Sequence, residues 1–329
     1  MDRKWRLLSA LVAVSFAAGG AEVAFAKDWK PQRPIEIIAP AGPGGGWDLL
    51  SRTMQKALTE EKLVDKPILV TNKPGGGGAT GWTYLKNKAG QGEFLAATSP
   101  LILQNNLLGK SALTFHDFMP LAALMAEWET VAVKADAPWK TGKEFFEAMK
   151  KDPASMHVGV GPALGNDDHI QFLMLAKAFG ADPKAVKFVV YPKTASEQIP
   201  ALLGGHIQAI TISLAETMEQ VKAGKLRLLG VSSPERVAAL PDVPTWKEQG
   251  ADFTFPHWRG VIAAPGLSPE QKAFWNDTIA KMVKSPTWKK SLATLEWDSF
   301  YQPSAEHEAF LTKQNDLMRE SLKDVGLIK

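Results

Sequence analysis

The chain of 329 residues contains no cysteine. It therefore has no disulfide, no thiolate metal site and no sulfur on which to carry a lipid anchor. Stability must come from core size, and this length is enough for two domains with sizeable cores. Excess charge is also missing, because 38 Lys and Arg against 35 Asp and Glu leave a formal net charge of +3. No Lys/Arg cluster is interleaved with aromatics, which argues against a dedicated nucleic-acid binder. Catalytic signatures are absent as well. The chain has no G-x-S-x-G elbow, no H-E-x-x-H helix and no G-x-x-x-x-G-K-[ST] phosphate loop. The six histidines are dispersed. Asp167 and Asp168 are adjacent, so on a helix their side chains diverge instead of facing each other.

Long apolar runs are scarce. After residue 26 no segment is apolar enough to cross a membrane. The first 26 residues have the three parts of a secretory signal: basic Arg3, Lys4 and Arg6, an apolar run from Leu7 to Ala18, and a small-x-small site at Ala24-Phe25-Ala26. The run is too short to span a bilayer as a mature helix. Cleavage near Ala26, a mature start at Lys27 and a soluble periplasmic protein are the expectations.

Glycine is what the sequence does have, and it is clustered. Ile35-Glu36-Ile37-Ile38-Ala39 is an apolar run that ends in Pro40-Ala41-Gly42-Pro43-Gly44-Gly45-Gly46-Trp47-Asp48. Leu50, Met54, Ala57 and Leu58 then recur at helical spacing. A strand that breaks at glycines and opens a helix gathers unpaired N–H groups, and aligned peptide dipoles make that point attractive to an anion. Without a Cβ, a ligand can approach the backbone closely. The pattern returns at Ile68-Leu69-Val70-Thr71, followed by Asn72-Lys73-Pro74-Gly75-Gly76-Gly77-Gly78 and a helix from Ala79 to Lys86. Pro43 interrupts any G-x-G-x-x-G reading, so a nucleotide site is disfavoured.

Further along, Glu93 to Thr98 reads as a strand that leaves Thr98 and Ser99 at its end, and Thr130 to Lys134 reads as another. Thr141-Gly142-Lys143-Glu144 forms a capping box. The strand–glycine turn–helix plan recurs from His157 through Gly159, Gly161 and Gly165 to His169. Strands at Val186–Val190, Ala209–Ile212, Leu226–Val231 and Val261–Ala263 alternate with helices, one of them after a second capping box at Thr194-Ala195-Ser196-Glu197. Ser268 caps a long helix to about Val283, and a final helix begins at Ser304. The fold class is α/β with mainly parallel sheets. Two groups of glycine-loop units suggest two lobes, residues 27–129 plus 250–329 and residues 130–249, facing a shared cleft.

These blocks, in this order, resemble the extracytoplasmic receptors of tripartite tricarboxylate transporters, also called Bug-type receptors. Leu202-Leu203-Gly204-Gly205-His206, Ser232-Ser233-Pro234-Glu235-Arg236, Leu240-Pro241-Asp242-Val243-Pro244-Thr245 and Trp258-Arg259-Gly260 fit later family blocks. The resemblance implies a two-lobed periplasmic binding fold of the type II-like, Venus flytrap kind. It implies capture of a small di- or tricarboxylate without catalysis and without a cofactor, by a receptor expected to be a monomer. Delivery would be to a membrane permease of one large and one small subunit, driven by an ion gradient. In the family, the two glycine loops hold one carboxylate and the other lobe reads the distal end. Here Val160, Pro162 and Asn166 stand where serine is common, and Tyr191-Pro192-Lys193-Thr194 replaces an aromatic–charged–glycine run. The ligand's identity stays open. A secreted α/β hydrolase and a receptor signalling to a membrane sensor are the alternatives.

The candidate ligand-binding residues are Pro40, Ala41, Gly42, Gly44, Gly45, Gly46 and Trp47 in the first loop and Asn72, Gly76, Gly77 and Gly78 in the second. Thr98 and Ser99 are added because hydroxyls can donate to a carboxylate. Gly161, Asn166, His169, Lys193 and Trp258 complete the set. Several carry a structural alternative. Trp47 is either core or cleft wall. Asp48 either stabilises the helix end or orients the loop, and is not expected to touch an anion. Asp167 and Asp168 read as capping acids. Lys193 and Arg259 are the cations available to a distal carboxylate.

Overall fold

The computed structural model describes residues 29–161, 163–192, 195–295 and 297–329. The expected signal segment lies outside the described residues. The first unit is β1 (Ile35–Ala39), α1 (Gly46–Glu60), β2 (Ile68–Asn72), α2 (Ala79–Lys86), β3 (Phe94–Thr98) and α3 (Leu101–Leu107). α1 buries the expected Leu50, Met54, Ala57 and Leu58. β4 (Met119–Lys134) follows, then α4 (Gly142–Lys151), β5 (His157–Val160), α5 (Asp167–Ala178), β6 (Lys187–Val190) and α6 (Ala195–Leu203). β7 (Ala209–Ser213), α7 (Leu214–Lys222), β8 (Leu226–Val231) and β9 (Pro256–Ala263) complete the sheets' central part. The chain ends with α8 (Pro269–Lys284), α9 (Pro286–Thr294), β10 (Asp298–Pro303) and α10 (Ser304–Asp324).

The strand order is β2-β1-β3-β9-β4-β7-β5-β6, with β8 and β10 also paired to β4. β1 is parallel to β2 and β3, and β5 is parallel to β6 and β7, so the parallel pairs belong to the glycine-loop units. Antiparallel pairs centre on β4. Its first part, to Trp128, lies against β9 and β10, and its second part, from Glu129, lies against β7 and β8. One continuous strand thus serves two sheets. The chain returns from the second sheet to the first between Val231 and Pro256. Ser232 ties the two crossings together. Its hydroxyl accepts from Glu129 N–H at 2.9 Å and donates to Phe255 C=O at 3.0 Å. α10 reaches both sheets' helices, and Lys177 on α5 pairs with Glu320 at 2.6 Å and Asp324 at 2.8 Å.

Local signals explain most boundaries. Ser268 and Gln271 form a reciprocal capping box with a proline in the first turn of α8. Thr141 caps α4 through Glu144 N–H, but the Glu144 carboxylate accepts from Lys140 N–H instead of Thr141 N–H. The box beginning at Thr194 falls partly outside the described residues. The long helix expected to about Val283 stops at Lys284, and Ser285 caps α9 with Pro286 in its first turn. Among the described residues no helix is long and apolar enough to cross a membrane.

The β4–β9 contact is close enough to be restrictive. A Cβ on Gly260 would lie 2.4 Å from Ala122 O and 3.2 Å from Ala123 Cα, beside a register shift in β4. Neither neighbour is a side chain that can move aside. Gly260→Ala is therefore expected to lower stability by about 1–3 kcal/mol, as overpacking does. Urea unfolding of the purified variant measures this, and an unchanged midpoint would rule out the close approach.

Candidate functional site

A cavity of about 420 Å³ lies between the two sheets. β4 and β9 build its floor by alternation. Along a strand, residues two apart face the same side. Glu127 and Glu129 on β4, and His257 and Arg259 on β9, all line the cavity. Glu127 stands opposite His257, and Met125 opposite Arg259. Gln104 of α3 covers one side, and Gly161, Asn166, Asp167 and Asp168 of the β5–α5 turn close the other.

Glu129 is buried and Glu127, His257 and Arg259 are partly buried, so their charges need partners. Arg259 Nη1 lies 3.0 Å from Glu127 Oε1. Burial pushes the Glu127 carboxyl up, but the Arg259 and His257 charges outweigh it and hold it below its ordinary value. His257 Nδ1 lies 2.9 Å from Asp167 Oδ2 and 3.4 Å from Glu129 Oε1. Burial disfavours its imidazolium, yet Asp167 and Glu129 together raise its pKa to about 10. Asp167 also accepts from the Gln104 side-chain amide. These contacts join β9 and α3, on one side of the cavity, to α5 on the other.

The two glycine loops are braced to each other. Asp48 accepts from Gly44 N–H at 2.9 Å, Arg52 Nε–H at 2.9 Å and Asn72 Nδ2–H at 2.8 Å. It therefore orients the loop, and these donors outweigh burial to lower its pKa. Asn72 spends its other N–H on Ala41 C=O at 3.0 Å. An amide has two such donors, so Asn72 links the loops and has no N–H left for a ligand. Pro40 packs under α2, where a Cβ on Gly81 would approach it at 2.9 Å. Trp47 is core, edge-on to Trp82 at 5.3 Å between ring centroids. Gly75, Gly76, Gly77 and Gly78 all have positive φ, which only glycine adopts readily. Asn105 Nδ2 donates to Gly77 C=O at 2.9 Å.

The first loop meets the cavity at Gly46. A Cβ there would lie 2.6–2.8 Å from the Arg259 guanidinium. No side chain caps α1 among the described residues, and its N-cap is Gly45. A guanidinium packed against the positive end of a helix is unfavourable alone; an anion beside both would satisfy them together.

Other expected contacts fall elsewhere. Trp258 is fully buried on the opposite face of β9 from His257 and Arg259, with its ring 4.9 Å from His307. Strand alternation turns it away from the cavity. His169 is buried within the second sheet's layer, where its Nδ1 accepts from Gly165 N–H at 2.9 Å. Burial lowers its pKa to about 4, so it is a neutral brace for the turn. Thr98 and Ser99 are sealed under the start of α3, and Ser99 Oγ accepts from Leu101 N–H at 3.4 Å. Asn166 lines the cavity while capping α5 through His169 N–H at 3.2 Å. Lys193 lies outside the described residues.

Residues 50–327 match the tripartite tricarboxylate transporter family receptor. The chain belongs to this family. It is 28% identical over 335 residues to a protein from the gbd 5′ region of Cupriavidus necator, covering 100% of this chain and 99% of that one. A TctC solute-binding protein from Polaromonas, solved without ligand, is 31% identical with a TM-score of 0.79, covering 89% and 99% of the two chains. An R. palustris protein solved with adipate shares the fold at 20% identity and a TM-score of 0.69, covering 90% and 98%. The receptor thus has the α/β periplasmic binding protein fold expected from its sequence, in a family of solute-binding proteins and not of enzymes.

Sequence reading of the receptor missed Gln104, Glu127, Glu129 and His257 as cavity residues. The signal was present as two alternating triplets, Glu127-Trp128-Glu129 and His257-Trp258-Arg259. It needed both to be read as strand, whereas strands were expected only from Thr130 and from Val261.

The His257 pairing makes stability pH-dependent. Its folded-state pKa of about 10 exceeds the ordinary 6.5. The stabilisation is complete below about pH 6.5 and is lost as pH rises toward 10. Denaturation midpoints should fall more steeply across that range in the parent receptor than in His257→Gln; equal slopes would refute the pairing.

Proposed function

We propose that the receptor works in the periplasm, captures a small di- or tricarboxylate and delivers it to the membrane permease of a tripartite transporter. The observation that carries this reading is the meeting of the uncapped N-terminus of α1 with Arg259 at the cavity edge. Preorganised N–H dipoles and a guanidinium in a water-poor site bind a carboxylate without reorganising. Family membership and the adipate held by a protein of the same fold support a dicarboxylate.

Residues 27–129 with 250–329 form one lobe in this reading, and residues 130–249 the other. Supporting this division, the chain passes between the sheets within β4 at Trp128–Glu129 and again between Ser232 and Phe255. Bending at these two crossings would open and close the cavity, and a ligand with greater affinity for the closed state would shift the balance toward it.

Gly45 has φ −71° and ψ 161°, an extended conformation open to any residue, so a side chain there adds bulk without backbone strain. Gly45→Val should weaken calorimetric binding of the acid that gives the largest thermal shift in a carboxylate panel, by about tenfold or more. The variant's Cβ would lie 3.3 Å from Ala41 Cβ and Gly42 O, so a small drop in its ligand-free unfolding temperature is expected, and affinity is read well below it. Unchanged affinity would sink the assignment of the first loop to carboxylate capture.

A further inference from the structure

We infer that the acid taken by this cavity also carries an amine, bound as its ammonium between Glu129, Asp168 and the Gln104 carbonyl oxygen. This rests on the proposed carboxylate-receptor reading and narrows it to a class of ligand.

Of the two cations at the cavity, His257 is held by two carboxylates, whereas Arg259 keeps an Nη1 without a hydrogen-bond partner for the ligand's carboxylate. Arg259 forms an ion pair with Glu127, and His257 lies between Asp167 and Glu129. Away from Arg259, the unpartnered atoms of the wall are acceptors. Glu129 is only 1% exposed, and its Oε2 has no donor. Gln104 is also 1% exposed, and its Oε1 has no donor. Its amide orientation is fixed because the nitrogen is committed to Asp167. Both orphan oxygens belong to residues that line the cavity, and each buried acceptor without a donor costs about 1–3 kcal/mol. Asp168 lines the same wall, and burial together with the Glu129 charge drives its carboxyl well above the ordinary range. Like charges this close do not both ionise in a dry site. The wall therefore holds either a proton or a cation.

A second carboxylate would meet this wall as one more acceptor and one more negative charge. An ammonium presents three donors and no acceptor. It would satisfy the orphan oxygens and allow Asp168 to ionise. A metal ion is the other cation to consider, but no group of His, Asp and Glu among the described residues is arranged to hold one. The carboxylate of the same ligand would lie toward Arg259 and Gly46, the anion-favouring side. The cavity's two ends thus match an amino acid in its zwitterionic form.

Isothermal titration of the full receptor with matched pairs tests this. Succinate is compared with aspartate, glutarate with glutamate, and butyrate with 4-aminobutyrate. At least one amine-bearing member should bind about tenfold or more tighter than its partner, the size of one charge-assisted contact in a dry site. Its binding should release a proton, read from the dependence of the heat on buffer ionisation enthalpy. Asp168→Asn and Glu129→Gln should each shrink the preference within the pair. Equal or tighter binding of the amine-free members would overturn the inference and leave the carboxylate receptor standing. So would a preference that both variants leave intact. Failure of both series to bind would overturn both readings.

Discussion

The site depends on a single hydrogen-bonded strand that runs unbroken through two sheets. Because β4 does not stop where the first sheet ends, its alternation carries Glu127 and Glu129 together into the space between the sheets. β9, paired antiparallel beside it, places His257 and Arg259 on the same face. Four charged side chains, one buried and three partly buried, are thereby brought together. Burying any one of them alone costs several kcal/mol, so the arrangement is tolerable only as a network. That network needs Asp167, which arrives from α5 in the second group of strands. A movement that separated α5 from β9 would leave His257 with one fewer carboxylate unless water entered. The electrostatics of the cavity and its enclosure are therefore one problem.

Much of the fold could be read from the chain, and the reasons are local. Glycine loops after short apolar runs, Ser268 followed by Pro269, and the spacing of Leu50, Met54, Ala57 and Leu58 each carry their own physical signal. β4 was half lost because Met119 to Ala126 is dominated by Leu, Ala and Met, which favour helix in isolation. The stretch is a strand buried almost throughout, and such strands lack the polar alternation that marks a half-buried one. β9 was shortened for a related reason: Pro256 and His257 do not look like strand, and only pairing to β4 makes them one. Once both strands lost their first halves, the charged triplets could not be seen to share a face. Trp258, an expected contact, is core, while the residues on either side of it line the cavity.

Other candidate residues are committed to local hydrogen bonds. Asn72, Asn166 and His169 have chemistry suited to a ligand, but each spends it on the loop that carries it. Type and position in the sequence do not reveal whether a donor is already used. That information lies in contacts between segments far apart in the chain, such as Asn72 with Asp48.

The cavity's polarity also bears on how a receptor rejects the wrong acid. In the proposed reading, backbone dipoles and a guanidinium at the Arg259 end favour any carboxylate, so that end gives affinity with little discrimination. Discrimination has to come from groups that are penalised when a ligand fails to satisfy them. The buried oxygens of Glu129 and Gln104 are such groups: a methylene placed against them would leave them without donors, and an oxygen anion would repel Glu129. A site that hydrogen-bonds a ligand group rejects analogues lacking that group far more strongly than an apolar pocket separates two chain lengths. In the proposed reading, selectivity is accordingly concentrated on the wall built by α3, β4 and α5, while the glycine loops make the sequence recognisable.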